Sequence, residues 1–284
     1  MNMLATSTRA GSGSSRKVAA HLTFAKARGR TILAAQKTPH PFHITRPFYV
    51  AGDPDGMATL YLQSSSGGLY GDDDLDLRLQ VKPGAYAHVT TQASTIVHPA
   101  RGGQTRQRIH LTLGPDSYLE YLPDPSILFA GANLNAELTA DIGNGARLML
   151  CDSALAHDPG GQALPFGLFS NTIQVLSEDG RKILVDRSVV SGADWVRRTP
   201  RLPVHGLMII AGAIDARQIA DAIDNSLPAQ DAKSYSAVCA LPDKGLVTFR
   251  LLAADGAIFT CVMETAWRAA RQALVGAAPM SRRK

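Results

Sequence analysis

The sequence predicts a mainly β protein whose strands wind in layers as in a β-solenoid, with about two helices in the C-terminal third. Three observations lead to this fold class. Apolar and polar residues alternate with a period of two through most of the chain, turns containing Pro or Gly recur at a nearly constant spacing, and a helical period is confined to the last third.

Half-buried strands are predicted where apolar and polar residues alternate. The segments are LDLRLQV, AYAHVTT, RIHLTL, YLEYL and AELTADI. Turns at Pro83, Pro115 and Asn144 separate them in steps of 32 and 29 residues, and weaker copies follow around Gly180 and Gly256. Repeats of this length favour the stacked turns of a solenoid or a layered sandwich, and an ordinary meander of hairpins is the alternative.

Two helices are predicted near the C-terminal end. The first, DARQIADAIDNSL, follows an N-cap at Asp215 and ends near Pro228. The second, VMETAWRAARQAL, runs from about Val262 to Leu274 and stops at Gly276. Its apolar stripe either packs in the core or meets another protein. The candidate partner-binding residues on it are Trp267, Arg268 and Arg271.

A single domain is predicted over residues 17–276, with its helical part at about 215–276. A chain of 284 residues that is 45% hydrophobic can bury a large core. Residues 1–16 and the basic segment 277–284 are predicted to be flexible tails. Residues 1–52 carry eight basic and no acidic side chains. Because the basic charge is concentrated towards the ends instead of on an aromatic-bearing face, nucleic-acid binding is not expected.

The sequence carries no secretory h-region and no apolar run long enough to span a membrane, so we expect a cytoplasmic protein without a membrane anchor. Phosphate-loop, nucleophile-elbow and HExxH motifs are absent. The HPFH segment, with His40 and His43, suits an extended stretch better than a metal site. The three cysteines, Cys151, Cys239 and Cys261, are far apart and predict neither a disulfide framework nor a zinc site.

One enzyme class stays open at this point. Glu120 and Asp124 flank a turn in LEYLPDP, and paired carboxylates on a β-solenoid are one way to cleave sugars. An aromatic content of 6% weakens this alternative, because carbohydrate clefts commonly present stacking rings. The alternative function is therefore a β-solenoid carbohydrate-active enzyme that uses Glu120 and Asp124.

Polar residues are concentrated between residues 64 and 95, in SSSGGLYGDDDLDLRLQVKPGAYAHVTTQAST. Three motifs stand in order: a Ser-x-Gly-Gly-hydrophobic-x-Gly-x-Asp segment at 65–73, a Gly-Ala-x-Ala-x-hydrophobic-Thr-Thr-Gln-Ala-x-Thr strand at 84–95, and a Leu-Glu-Tyr-Leu-Pro-Asp-Pro turn with an aromatic residue and an Ala shortly after it, at 119–132. With these motifs the chain resembles the urease accessory protein UreD family, also called UreH. The resemblance extends from about residue 20 to about residue 186.

The resemblance implies a fold and a set of partners. Members of the family are mostly β, with late helices, and act as cytosolic scaffolds without known catalysis. They bind UreF, which recruits the GTPase UreG, and the assembly delivers nickel to apo-urease. For this chain the resemblance implies an accessory metallochaperone that is not an enzyme. We expect no tightly bound cofactor, transient contact with Ni²⁺, and a dimeric arrangement within the accessory complex.

The resemblance also supplies candidate site residues. Family members are thought to contain an internal water-filled passage, and oxygen ligands suit an ion that must exchange instead of being trapped. The residues carried over to the wall of this passage are Asp73, Thr90, Thr91, Gln92, Asp152 and Asp186. The chain departs from the family pattern at HDPGGQALPFGLFSN, which lacks the usual Arg and Glu, and at its APMSRRK end.

Overall fold

The computed structural model describes residues 16–212, 214–229 and 231–280. It is 50% strand and 16% helix. The first ten strands are β1 (Lys17–Ala27), β2 (Arg30–Lys37), β3 (Phe42–Ile44), β4 (Ala58–Ser64), β5 (Asp74–Val81), β6 (Tyr86–Thr91), β7 (Thr95–Val97), β8 (Thr105–Leu113), β9 (Tyr118–Tyr121) and β10 (Ser126–Phe129). The remaining elements are β11 (Asn133–Ile142), β12 (Arg147–His157), β13 (Leu168–Ser177), β14 (Lys182–Ser191), α1 (Gly192–Arg198), β15 (Val204–Ala211), α2 (Ala216–Ser226), β16 (Ser234–Leu241), β17 (Leu246–Ala253) and α3 (Gly256–Val275).

Two sheets face each other. Sheet A has the order β14-β13-β11-β8-β5-β1-β2, and sheet B has the order β16-β17-β15-β12-β9-β6-β4-β3. The central strands of both sheets are parallel, whereas the outer strands pair antiparallel. A third, short parallel ladder joins β7, β10 and the end of β12. Parallel pairing of this kind requires the chain to return to the same edge after each crossover.

The chain crosses between the sheets at each turn and makes a β-solenoid of about four turns. The turns at Pro83, Pro115 and Asn144 connect sheet A to sheet B at one end and stack on one another. The amide of Gly84 donates to the carbonyl of Pro115 at 3.0 Å, and the amide of Asp116 donates to that of Asn144 at 3.0 Å. The predicted solenoid is therefore confirmed over the hairpin meander.

The two weaker copies of the turn have other roles. Gly180 lies in the hairpin between β13 and β14, which are antiparallel, so the solenoid ends there. Gly256 is the first residue of α3, whose N-cap Asp255 accepts a hydrogen bond from the amide of Ile258. Interpreting Gly256 as a solenoid turn was wrong, because the Asp-Gly pair that suits a turn also suits the start of a helix.

Two of the three described helices match the predictions. Helix α2 has the predicted N-cap, with Asp215 accepting from the amide of Gln218 at 3.0 Å. Helix α3 ends at the predicted Gly276, which has a left-handed backbone, but begins six residues earlier than Val262. Helix α1 was not predicted, because seven residues are too few to show a helical period.

Sheet B packs against a hydrophobic core on each of its faces. One lies between the sheets and contains Leu79, Val89 and Leu150, and the other lies between sheet B and helices α2 and α3. Gly206 on β15 lets α3 approach closely, since a Cβ atom there would lie 2.5 Å from the ring of Phe259. Sheet B therefore has two buried faces, and its strands carry apolar residues in both directions.

The predicted tails lie mostly outside the described residues, which begin at Arg16 and end at residue 280. In the part of the chain that is described, no helix combines the length and the hydropathy needed to cross a bilayer. Cys151 is buried, whereas Cys239 and Cys261 are exposed.

Candidate functional site

Adjacent threonines at the end of β6 face opposite sides of sheet B, because successive strand residues alternate. Thr91 shares the inner face with Val89, which lies in the core between the sheets. Its hydroxyl oxygen accepts a hydrogen bond from the amide of Asp124 at 2.8 Å. Thr90 faces the helical side and donates to the carbonyl of Leu122 at 2.7 Å. Only Thr91 of this pair therefore points between the sheets.

A cleft with a volume of about 650 Å³ opens beside Thr91. Gln92 and Ser65 lie along it, and Gln107, Tyr121 and Leu77 from the facing sheets also line it. Gln107 occupies an inward position of β8, in register with Leu75 of β5. The cleft thus connects polar groups near the ends of the strands with the space between the two sheets.

Farther along the same interior, four polar residues lie on the facing inner surfaces of the two sheets. The side-chain amide of Asn171 on β13 donates to Oδ2 of Asp152 on β12 at 2.6 Å. Asp186 on β14 pairs with Arg250 on β17. We call these residues, together with Thr91 and Tyr121, the polar row; its members are Thr91, Tyr121, Asp152, Asn171, Asp186 and Arg250.

The electrostatics of the polar row come from burial and from like charge. Burial raises the pKa of Asp152, the negative charge of Asp186 raises it further, and the hydrogen bond from Asn171 opposes both, so that the pKa is about 6. Burial and the charge of Asp152 also raise the pKa of Tyr121. The row therefore holds a carboxylate that gains or loses its proton close to neutral pH.

Asp73 lies apart from the cleft-lining residues, in the turn before β5. Its carboxylate accepts from Nε of Arg16 at 2.7 Å and from the backbone amide of Tyr70 at 2.8 Å, and it is 3% exposed. In the same turn Gly68 has a φ of 139°, and a Cβ atom there would lie 2.4 Å from the carbonyl oxygen of Ile96. The Gly-rich motif therefore packs one solenoid turn tightly against the next.

A second polar cluster lies on the other face of sheet B, under α3. Glu120 is fully buried and accepts from the hydroxyl of Tyr118 at 2.6 Å and from the indole of Trp267 at 3.2 Å. Nδ1 of His88 lies 2.6 Å from its other carboxylate oxygen. We call this group, with Arg271 added, the Glu120 cluster.

Arg271 brings a buried guanidinium to this cluster. It is 1% exposed, with Nε 3.4 Å from Oε1 of Glu120 and Nη2 2.7 Å from Oδ1 of Asp53. Burial acts to raise the pKa of Glu120, but the hydrogen bond and charge of His88, the charge of Arg271 and the hydrogen bond from Tyr118 together lower it to about 2. Glu120 is therefore a buried, ionised structural anchor.

This arrangement corrects two predictions. Trp267 and Arg271 are buried by the chain's own residues, so they are not at a surface that meets a partner. Of the three candidate partner-binding residues, Arg268 is the one at the surface, where it pairs with Glu264. The sequence alone does not show which side of α3 is buried. Glu120, the residue that Trp267 and Arg271 contact, is distant from them in sequence.

The alternative of a sugar-cleaving enzyme with Glu120 and Asp124 was wrong. A general acid must reach its substrate and hold a proton at working pH. Glu120 is 0% exposed and its pKa of about 2 keeps it ionised. Asp124 lies in the corner between β9 and β10, where its amide binds Thr91. The two carboxylates therefore do not act as a catalytic pair.

The segment that departs from the family pattern forms its own turn. The carboxylate of Asp158 accepts hydrogen bonds from the amides of Gly160, Gln162 and Leu164 at 2.9, 2.9 and 3.0 Å. These bonds lower the pKa of Asp158. The loop is therefore organised locally, without the Arg and Glu of the usual pattern.

Sequence reasoning missed three members of the polar row, Tyr121, Asn171 and Arg250. Their signal in the sequence is a polar side chain at an inward position of an otherwise apolar alternation, as in LFSNTIQV. That signal becomes useful only when the sheet pairing is known, because the facing residues are distant in the chain. Among the described residues, no group of three or more His, Cys, Asp or Glu side chains is arranged to hold a metal ion.

The fold and the polar row define a class: a two-sheet β-solenoid with ionisable groups between its sheets and a helical layer on one face. Comparison with known proteins gives the family. Residues 17–284 match the family described as UreD urease accessory protein. The chain belongs to this family.

Individual relatives agree with this assignment. The chain is 39% identical over 274 residues to Urease accessory protein UreD 1 of Methylorubrum populi, covering 95% of this chain and 92% of that protein. It is 35% identical to UreD 1 of Pseudomonas syringae pv. syringae, covering 94% and 96%. It is 30% identical to UreD of Klebsiella pneumoniae subsp. pneumoniae, covering 91% of each chain. Membership of the family assigns the chain a role in urease maturation.

Proposed function

We propose that this chain is a cytoplasmic urease maturation factor that binds UreF, and through it UreG, together with apo-urease, and that helps to deliver nickel to the urease active site. Its family membership supports the maturation role, and the motifs at 65–73, 84–95 and 119–132 support the choice of partners. In this proposal the chain keeps no metal of its own, acts as an accessory metallochaperone instead of an enzyme, and works within a dimeric accessory complex.

The observation that carries the nickel part of the proposal is the polar row between the sheets. Thr91, Gln92 and Tyr121 line the cleft, and Tyr121 lies close enough to Asp152 for the charge of Asp152 to raise its pKa. Asp186 acts on Asp152 in turn, and its partner Arg250 reaches solvent. Oxygen ligands exchange around a hydrated divalent ion, whereas a cage of thiolates would retain it. Thr91, Gln92, Asp152 and Asp186 are the residues we assign to the route, and Asp73 and Thr90 are left out of it.

The charges around Asp152 set how strongly the route attracts a cation. With a pKa of about 6, its carboxylate is largely ionised at neutral pH, and a cation that approaches it displaces the remaining protons. The neighbouring charge of Asp186, which raises this pKa, also attracts a divalent cation. Arg250 pairs with Asp186 and limits the total negative charge. The pair therefore attracts Ni²⁺ without holding it tightly.

Co-expression tests the proposal. The cognate urease subunits and accessory proteins are produced with and without this chain, and urease activity and nickel per active site are measured. We expect both to fall when only this chain is omitted. Restoring the wild-type chain should restore both, and a variant with Asp158→Ala in the exposed loop serves as a control for a change outside the route. Unchanged activity without the chain contradicts the maturation role itself.

A further inference from the structure

The mouth of the cleft carries a histidine that no part of the proposed route has used. His43 lies on β3, is exposed, and lines the cleft together with Gln63 and Gln92. It is opposite Gln63 in the antiparallel pair of β3 and β4. The three residues stand side by side on β3, on β4 and just after β6, on the solvent side of sheet B at the rim of the cleft.

A directed chain of hydrogen bonds links the three side chains. Nδ1 of His43 lies 2.5 Å from Oε1 of Gln63, and the amide nitrogen of Gln63 donates to Oε1 of Gln92. An amide oxygen can only accept, so Nδ1 of His43 carries the proton. Nε2 is therefore the ring nitrogen that is left to bind a metal ion.

We propose that Nε2 of His43 binds Ni²⁺ at the mouth of the cleft. Imidazole nitrogen is a good ligand for nickel, and a histidine that binds a metal through one nitrogen typically donates its other N–H to an oxygen that fixes the tautomer. Gln63 supplies that oxygen. Water completes the coordination sphere, so one protein nitrogen holds the ion weakly. The place of this site in a nickel route rests on the proposed function, whereas the site itself does not.

Protection from chemical modification tests the site residue by residue. Diethyl pyrocarbonate acylates an unprotonated imidazole nitrogen, and peptide mass spectrometry measures the rate at each histidine in the full-length chain or its complex. We expect added NiCl₂ to slow modification of His43 strongly while leaving His21, an exposed histidine on the outer face of sheet A, unchanged. MgCl₂ should protect neither. Equal modification of His43 with and without nickel overturns the proposal.

The Gln63→Leu variant tests the role of the hydrogen-bond chain. It removes the acceptor and leaves the imidazole in place, so we expect nickel to protect His43 about tenfold less well, in line with the loss of a partner that orients a ligand. Gln107→Leu, which changes an amide deeper in the same cleft, is the matched control and should leave the protection unchanged. Full protection of His43 by nickel in Gln63→Leu contradicts the proposal that Gln63 fixes the tautomer that binds the metal.

Failure of this site and failure of the route are distinguishable. If nickel protects His43 but a blocked cleft still supports urease activation, His43 is a nickel site and the route is wrong. If nickel does not protect His43 but blocking the cleft stops activation, the route stands and the His43 site is overturned. His43→Ala should reduce urease activation when nickel is limiting and not when it is abundant.

Discussion

The indole nitrogen of Trp267 lies 3.2 Å from Oε1 of Glu120 and donates a hydrogen bond to it, which joins α3 to β9 in the interior of the protein. Tyr118 and His88 hold the same carboxylate from the sheet side, and Arg271 approaches it from the helix. The terminal helix is therefore fixed to the solenoid by a buried anion.

Replacing Glu120 with Gln should destabilise the protein by about 3 kcal/mol, because it removes one of the two carboxylates beside the buried guanidinium of Arg271, the other being that of Asp53. Chemical denaturation measures the free energy of unfolding. Glu264→Gln, which removes a half-exposed partner of Arg268 on the same helix, is the control and should change stability by less than about 1 kcal/mol. Equal losses in the two variants contradict the anchoring role of Glu120.

The same carboxylate should make stability depend on acidity. Its pKa is lowered in the folded protein to about 2 from an ordinary value of 4.5. A lowered pKa contributes stability above the unfolded value, and that contribution is lost as the pH falls from about 4.5 towards 2. Unfolding free energies of the wild type and of Glu120→Gln should therefore converge in this range. A constant difference between them down to pH 2 argues against an ionised Glu120.

Asp152 should make the free energy of unfolding change with pH in the opposite direction. Its pKa is raised to about 6 from 3.8, so the folded protein binds the proton more tightly than the unfolded chain, and stability falls as the pH rises from about 4 to about 6. Asp152→Asn keeps an oxygen for Asn171, and at pH 7 it should be more stable than the wild type by up to about 3 kcal/mol. The gain should vanish near pH 4, and urease activation should decrease. A variant that is less stable at pH 7 contradicts this assignment.

Removal of the thiols should leave urease activation intact. Cys239 and Cys261 are exposed, so their change to Ser should alter neither stability nor activation. Cys151 is buried, and Cys151→Ser should cost about 1 kcal/mol because a hydroxyl enters an apolar site. The triple variant is assayed for urease activity and for nickel per active site. If activation disappears while the fold survives, an oxygen-lined route is wrong.

Most of the fold could be predicted because its signals are local. Period-two alternation and the spaced turns at Pro83, Pro115 and Asn144 indicate the solenoid, and the caps at Asp215 and Gly276 mark helix ends. The end of the solenoid could not be predicted from Gly180, since parallel and antiparallel strands have the same period. Pairing partners, rather than the strand sequence, decide between them.

The site was predicted less completely, for physical reasons that individual residues make clear. Asn171 and Arg250 join Asp152 and Asp186 only through the packing of two sheets, which no short motif contains. Thr90 is different, because the alternation of a strand already indicates that it faces away from Thr91. The burial of Glu120 depends on Trp267, which is distant in sequence but is in contact with it in the fold.

Narrowing the cleft beside Thr91 tests the central claim most directly, with urease activity and nickel per active site as the measurement and a pull-down with UreF and apo-urease to confirm assembly. Thr91→Val keeps the shape and leaves the amide of Asp124 without its hydroxyl acceptor, so it should cost about 1 kcal/mol of stability and little activation. Thr91→Trp should assemble and yet fail to load nickel, because water can replace one oxygen ligand but cannot replace lost space. A Thr91→Trp variant that assembles and activates urease normally contradicts a nickel route between the sheets.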